Sequence, residues 1–349
     1  MIVYSKNSGY TDAAIGRLET PIKMVIEHES DVLTKKGGIC DWLFNVEKSN
    51  RFGETIVGQS EFDVFHATGE GESAPLDTVS ETYRKFIEHI QFMKEFVITA
   101  EMMEDANYGV ASDAKRRAEN FTRAYYKTMN KICEYALSNG VNASGRFANA
   151  QLDLTAPDGK PLFHCDHNYG INATDTQANY FWGDIFKTGS SRTASMNAFE
   201  EALGKLSVKL RNMKDENGEP LGYTADTLIL PGNRPIAETI AKKVCGSTYA
   251  PGNANNEINL QYGNWTIIVM PSWQTYDDRI MVMSSEANKN LSGNMFFNRV
   301  PLTVSNWVDH HTGNYIWGGR CRFGVGFGSY KHILLAVDAT SAVANAERI

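Results

Sequence analysis

Apolar positions along the chain change their period several times, and each change predicts an element. From Asp113 to Ser138, Ala114, Ala118, Phe121, Tyr125, Met129, Ile132 and Ala136 recur every three or four residues. That spacing lays them along one stripe of a long amphipathic helix, about 39 Å long at ~1.5 Å per residue. Ser112 or Asp113 is placed to cap its start, and Asn139 and Gly140 tolerate left-handed backbone beyond its end. Upstream, Phe52 to Ile90 reads as strand, with Ile56, Phe62, Val64, Tyr83, Phe86 and Ile90 apolar around an interruption, GEGESAP. Two glycines and a proline do not fit inside a paired strand, so the stretch predicts a long hairpin with its tip at Gly69 to Pro75. A lone hairpin is marginal in water, so something outside it must cover its apolar face. Residues 1 to about 50 hold Gly9, Gly16, Pro21, Gly37 and Gly38 with little sustained period, and predict an extended arm.

Beyond the long helix, residues 141 to about 190 are rich in Asn, Asp and Gly and contain PLFHCDHN, Pro161 to Asn168. Met196 to Arg211 then predicts a second amphipathic helix, with Ala198, Phe199, Ala202, Leu203, Leu206 and Leu210 on one side, ended by the acidic turn KDENGEP. Thr227 to Leu230 is a short strand stopped by Pro231, and Asn233 caps a helix entered through Pro235 and running to Val244. Gly246 to Gly263 is Gly/Asn-rich and predicts a surface loop. Trp265–Met270, Ile280–Met283, Val300–Val308 and Tyr315–Val337 return to strand. Strand and helix alternating from Met196 to Met283 predict a compact mixed domain.

Charge narrows the function classes. The chain has 349 residues and a formal net charge of −7. An excess of acid gives no global attraction for a phosphate backbone, so a dedicated nucleic-acid binder is excluded. At about 150 residues per domain the length implies roughly two domains. No apolar run approaches the ~18 residues of a membrane span, and the start lacks a basic region followed by an apolar stretch, which predicts a cytosolic protein. Cys40, Cys133, Cys165, Cys245 and Cys321 are scattered and form no CxxC, so they read as buried or incidental thiols. The total hides a division. Glu54, Glu61, Asp63, Glu70, Glu72, Asp77, Glu81 and Glu88 against Arg84 and Lys85 give the hairpin −6, whereas the exposed side of the long helix, with Lys115, Arg116, Arg117, Arg123, Lys127 and Lys131 against Asp113 and Glu119, carries +4.

Two clusters invite chemistry. His164, Cys165, Asp166 and His167 offer metal-binding groups, and a zinc hydrolase using His164, Asp166 and His167 is one alternative. Zinc sites need three or four convergent ligands, and the other adjacent pair, His310 and His311, points to opposite faces if it lies in a strand. A hydrogen-bonded structural loop is the better reading, with no metal and no cofactor. Gly324, Gly326 and Gly328 alternate with Phe323, Val325 and Phe327. Phosphate binding requires a glycine turn leading into a helix, so these glycines predict a strand with one bare face for close approach. No GxSxG elbow and no GxxxxGK[ST] loop occurs, and no catalytic role is expected.

Taken in order, an arm, an acidic hairpin with an EGE tip, FVITAEMMEDA, a long helix, PLFHCDHN, TADTLILPGNRPIAETIAKKV, NLQYGNWTIIVMPSW and a closing RCRFGVGFGSY resemble a major capsid protein of tailed bacteriophages. The fold implied is the α+β Hong Kong 97 type, and PLFHCDHN is similar to the Mu-like head subunits in particular. The resemblance implies an N-terminal arm over 1–51 and an extended loop over 52–88. It implies a peripheral domain over 89–188 with its spine helix over 113–138, an axial domain over 189–306, and C-terminal strands over 307–349 returning to the peripheral domain. In that family the extended loop lies across a neighbouring subunit, which would cover the lone hairpin.

The function implied by the resemblance is that of a structural protein that self-assembles as pentamers and hexamers into an icosahedral head enclosing double-stranded DNA. It would lie in the virion capsid and assemble in the host bacterial cytoplasm. Expected partners are further copies of itself, a portal and a decoration protein; with only about 20 residues before the fold, either a separate scaffolding protein shapes the shell or the sequence is a processed form, and the initiating Met1 favours the first. An encapsulin-like nanocompartment shell is the nearest alternative. The expected subunit contact joins Glu54, Glu61, Asp63, Glu70, Glu72, Asp77 and Glu81 of one copy to Arg116, Arg117, Arg123, Lys127 and Lys131 of the next. The loop Gly246 to Gly263 is expected at the axial tip, facing its own copies.

Overall fold

Pro21 and Gly16 do not prevent the N-terminal stretch from becoming helical: Ala13–Lys36 is a 24-residue helix, followed by a short helix at Ile39–Leu43. The expectation of an extended arm is thus corrected. The reason is tertiary. Ile22 and Ile26, one turn apart, are buried with Ala114, Ala118 and Phe121 of the long helix and with Ile98, Leu302, Val304 and Trp317, and that burial outweighs a local penalty of ~3 kcal/mol for proline. The computed structural model describes residues 3–4, 13–59, 65, 67–73, 76, 81–99, 101, 109–169, 175–187, 191–249, 258–271, 273, 278–339 and 342–349.

The chain is α+β and divides into two compact units, one formed by Met1–Glu54, Ile87–Cys133 and Phe296–Val325, the other by Thr55–Phe86, Glu134–Met295 and Gly326–Ile349. In the first, a sheet runs in the order Val3–Tyr4, Asn294–Val308, Tyr315–Phe327, Ile90–Ile98, with Asn45–Lys48 also paired to Asn294–Val308. Tyr315–Phe327 is antiparallel to Ile90–Ile98, from Tyr315 opposite Ile98 to Phe323 opposite Ile90. That register puts Phe92 on Phe323 with centroids 4.8 Å apart, and Phe96 beside Phe121 at 5.3 Å. Gly319 must be glycine here, since a Cβ would stand 2.3 Å from the Phe121 ring. His310 and His311 lie in the turn after Val308, where Asp309 accepts from the backbone N–H of His311 at 3.1 Å and the hydroxyl of Thr312 at 2.6 Å.

The long helix spans Gly109–Ser138, four residues more than its period suggested. Asp113 is therefore no cap; it lies inside the helix and pairs with Arg116 at 2.6 Å and Arg117 at 3.1 Å. The apolar stripe is real, with Ala114, Ala118, Phe121, Ile132 and Ala136 buried. Its side toward Ala13–Lys36 is polar: the Tyr126 hydroxyl bonds those of Ser30 and Thr34, both at 2.8 Å, and Arg123 donates to Glu29 at 2.6 Å. At the C-terminus neither Asn139 nor Gly140 has positive φ. Gly140 is needed for space instead, because a Cβ would meet the Phe163 ring at 2.9 Å.

In the second unit, six strands run in the order Thr266–Met270, Thr227–Pro231, Arg279–Met283, Ile333–Asp338, Tyr180–Gly183, Glu347–Arg348. Leu228, Leu230, Ile280, Val282, Leu334 and Ala336 form one core with the helices Arg192–Arg211 and Pro235–Gly246. Ile229, Met281 and Leu335, on the opposite face, are buried too, which explains continuous apolar runs in place of alternation. Arg192–Arg211 starts earlier than predicted, capped by Ser191, whose hydroxyl accepts from the N–H of Ala194 at 3.3 Å. The other helix has Arg234, not Asn233, at its cap, with Pro235 as its first residue. The predicted glycine face holds: a Cβ on Gly324 would be 2.8 Å from the Glu88 carbonyl, and one on Gly328 would be 2.3 Å from that of Ser292.

His332 is fully buried beside this sheet, with Nε2 donating to Asn294 Oδ1 at 2.9 Å. Burial holds its imidazole down at about 3, partly offset by a hydrogen bond to the Ser329 backbone carbonyl. The unfolded chain, with an ordinary imidazole near ~6.5, therefore binds a proton that the fold refuses. Stability should fall as pH drops from ~6.5 toward ~3, by at most about 1.4 kcal/mol per unit from this group, and be untouched by it above that window. His332→Gln should flatten the dependence of thermal midpoint on pH over that range; parallel curves for the two proteins would sink the assignment.

Candidate functional site

The hairpin consists of Gly53–Gln59 and Glu81–Glu88, paired in a two-stranded sheet. Its tip turns at Gly71, φ +87°, and the Glu72 N–H donates to the Gly69 carbonyl at 3.1 Å. Alternation along each strand separates two faces. One is covered by its own chain. Ile56 lies against Gly328, where a Cβ would be 3.0 Å from it. Lys85, buried, donates to Asp153 and Thr155, and the Tyr83 phenol is pushed up to about 12 by burial and then by the Glu216 carboxylate. Burial alone would raise Asp153, but the hydrogen bonds from Lys85 and Thr155 outweigh it and hold that carboxyl below its usual range. The other face carries Thr55, Val57, Arg84 and Phe86, with Val57 39% and Phe86 50% exposed.

Half of the cover that the hairpin requires thus comes from within the chain. Composition-based reasoning missed Lys85 and Phe86 as opposite faces of one strand. The signal was present in the alternation: Tyr83 and Phe86 cannot share a face, so both faces of this strand carry an aromatic ring.

Of the acidic residues expected at the contact, Glu70, Glu72 and Glu81 are exposed. Glu72 accepts from the Gly69 N–H at 3.0 Å, and Glu81 pairs with Arg84 at 2.5 Å. Glu54 accepts from the Ser49 hydroxyl at 2.6 Å. Glu61, Asp63 and Asp77 lie outside the described residues. On the basic side, Arg116 and Arg117 bond Asp113, Arg117 also reaches the Val97 carbonyl at 2.7 Å, and Arg123 is bound to Glu29. Those three arginines already have acceptors in their own chain. Lys127 and Lys131 are exposed.

The loop Gly246–Gly263 is described at both ends only. Tyr249 and Ile258 bridge its base, and buried Asn259 donates to the carbonyls of Val244 and Ser247. Above that anchor Tyr249, Ile258, Leu260 and Tyr262 are all more than half exposed, at 57, 78, 78 and 52%.

PLFHCDHN folds as a structural loop. His167 is buried, with Nδ1 2.7 Å from Asp158, Nε2 3.2 Å from the Leu162 carbonyl, and its ring stacked on Tyr330 at 3.9 Å. His164 meets the His167 ring edge-on at 6.0 Å, and its Nδ1 accepts the Asp166 N–H at 3.1 Å. Burial, then the neighbouring His167 and Lys160, lowers its affinity for a proton. Asn179 joins this loop to the last strands through the carbonyls of Leu162 at 2.7 Å and Tyr330 at 3.3 Å. His164, Asp166 and His167 do not converge, and among the described residues no three His, Cys, Asp or Glu side chains are grouped to hold a metal. Cys245 and Cys321 are buried, and burial pushes their thiols up to about 12. Among the described residues no helix is long and apolar enough to cross a membrane.

No family model matches the chain, and no curated protein matches it. Among solved structures, the chain is similar to the capsid structure of the cyanophage P-SCSP1u, at 10% identity and a TM-score of 0.48, covering 87% of this chain and 89% of that one. It is similar to the capsid of a native GTA particle, at 14% identity and 0.48, covering 86% and 90%. It is also similar to the virus-like particle from Pyrococcus furiosus, at 9% identity and 0.47, covering 90% and 97%.

Proposed function

We propose that the chain is the repeating subunit of an icosahedral shell of the Hong Kong 97 type, a major capsid protein that assembles as pentamers and hexamers around double-stranded DNA. The observation that carries this reading is the hairpin, with one face packed on its own chain and the partly exposed Val57 and Phe86 on the other. A partly exposed apolar face held in place is suited to a neighbouring copy, and the order of segments along the chain is that of the family it resembles. Closed assemblies need repeated complementary surfaces, and many modest contacts act together. The exposed apolar residues around Tyr249 and Ile258 are a second such surface, which we assign to contacts among copies around the fivefold and sixfold axes. A scaffolding protein, a portal and a decoration protein are the further partners of such a shell, and the virion capsid is its location.

Electron microscopy of the purified protein tests the reading. Closed shells with the hairpin lying on a neighbour are expected; a monomer or small oligomer at high concentration, alone and with its scaffold, rejects it. Packaged enzyme in place of DNA would point to a nanocompartment. Because Arg116, Arg117 and Arg123 are bound within the chain, Lys127 and Lys131 are the cations best placed to meet an acidic hairpin. Lys127→Glu with Lys131→Glu should slow assembly several-fold and reduce its sensitivity to salt, since exposed pairs give only ~0–1 kcal/mol each. Light scattering at two ionic strengths reads this, and unchanged kinetics at both would remove these lysines from the contact.

A further inference from the structure

Both roots of the hairpin are fastened at one place in the first unit. His89 stands between the strands Glu81–Glu88 and Ile90–Ile98, just past the last register pair, Phe323 with Ile90. It is 3% exposed, and its Nδ1 donates to the carbonyl of Phe52, the residue before the other hairpin strand, at 2.7 Å. One imidazole thereby ties the incoming leg to the outgoing one. Its own carbonyl accepts from Arg322 Nε at 3.2 Å, and the Arg322 guanidinium lies 5.3 Å from the centre of the Phe52 ring. Phe297 meets the imidazole edge-on at 6.2 Å.

The backbone is built for this approach. Gly324 leaves room for the Glu88 carbonyl at 2.8 Å and for His89 Cδ2 at 3.3 Å from where a Cβ would be. The incoming leg has a second tie. Buried Ser49 donates its N–H to the Asn298 carbonyl at 3.1 Å and its hydroxyl to Glu54 at 2.6 Å. Among the described residues His89 Nε2 has no hydrogen-bond partner. A buried ring nitrogen left without a partner is costly, and the ring is held in that position by the other contacts.

We propose that these contacts form a root clamp, with His89 as a positioning residue that holds the two legs of the hairpin in register before any neighbour binds. Ordering the segment in advance removes part of the entropy that docking would otherwise cost. The consequence for assembly rests on the shell reading; the effect on the roots does not.

Hydrogen–deuterium exchange of the unassembled subunit and the threshold concentration for assembly, measured together, separate the two. His89→Ala should speed exchange at Gly53, Glu54, Ile87 and Glu88 about tenfold and raise the threshold by a similar factor. His89→Asn, whose Nδ2 lies where Nδ1 does in histidine, should restore both. Phe86→Ser should raise the threshold with root exchange unchanged. Root exchange within twofold of wild type in His89→Ala overturns the clamp, and faster exchange with an unaltered threshold overturns its role in assembly. If His89→Ala does not fold, Arg322→Lys, which loses the directed Nε donor, carries the same two readouts with the same expectations. If wild type forms no shells, the shell reading fails and the exchange measurements still decide the clamp.

Discussion

Phe86→Glu should give a folded subunit that forms no shells. The side chain is half exposed on the partly exposed face of the hairpin, so a carboxylate there keeps contact with water in the isolated subunit. Removing a phenylalanine from an apolar contact forfeits roughly 1.5–3 kcal/mol, and a carboxylate without a partner there adds a desolvation cost. That is a factor of ten to several hundred per contact, repeated in every copy of the shell, and assembly multiplies rather than averages it. The control lies on the other face of the same strand. Lys85→Met loosens the hairpin from Asp153 and Thr155 and should lower thermal stability by about 1–2 kcal/mol while shells still form. Sedimentation and microscopy at matched concentration compare the pair. Shells of normal yield from Phe86→Glu would mean that this face is not a subunit contact.

The largest loss of stability is expected from Asp338→Ala. Asp338 accepts the backbone N–H groups of Ile185 at 2.9 Å and Phe186 at 3.0 Å through one oxygen, and Arg234 at 2.9 Å through the other. Arg234 is in turn packed over the Phe186 ring at 4.4 Å. The side chains of the pair are 16% and 8% exposed, so the change leaves two backbone donors and a shielded guanidinium without their carboxylate. Breaking a buried pair from one side costs about 3–5 kcal/mol. Asp338→Asn keeps an oxygen for the backbone donors and should cost less. Urea unfolding should rank wild type, Asn and Ala in that order, and a loss under about 1 kcal/mol for Ala would show that water replaces the carboxylate.

These two residues also mark how far the sequence could be read. The period of Ala114 to Ala136, the helix around Phe199 to Leu210, the hairpin with its glycine tip and the bare face of Gly324 to Gly328 all depend on neighbours a few positions apart, and all are present. Reading went wrong where a distant contact reversed a local preference. Pro21 lies within a helix because Ile22 and Ile26 have a core to enter. Asp113 serves Arg116 and Arg117 because the helix begins one turn earlier.

Segment identity was therefore a property of local pattern, and so were the net charge and its split between acidic hairpin and basic helix. Partnership was not. Tyr180 lies beside Leu335 and Thr227 beside Met283, and nothing local links such positions. The same holds for the hairpin: its need for cover comes from having two strands, but which face its own chain supplies depends on Lys85 meeting Asp153 and Ile56 meeting Gly328. Side-chain period sets which residues share a face, whereas burial is decided by whatever the completed fold brings against that face. The contacts of Lys85 and Ile56, and not local pattern, decide which side of the hairpin carries the partly exposed Val57 and Phe86.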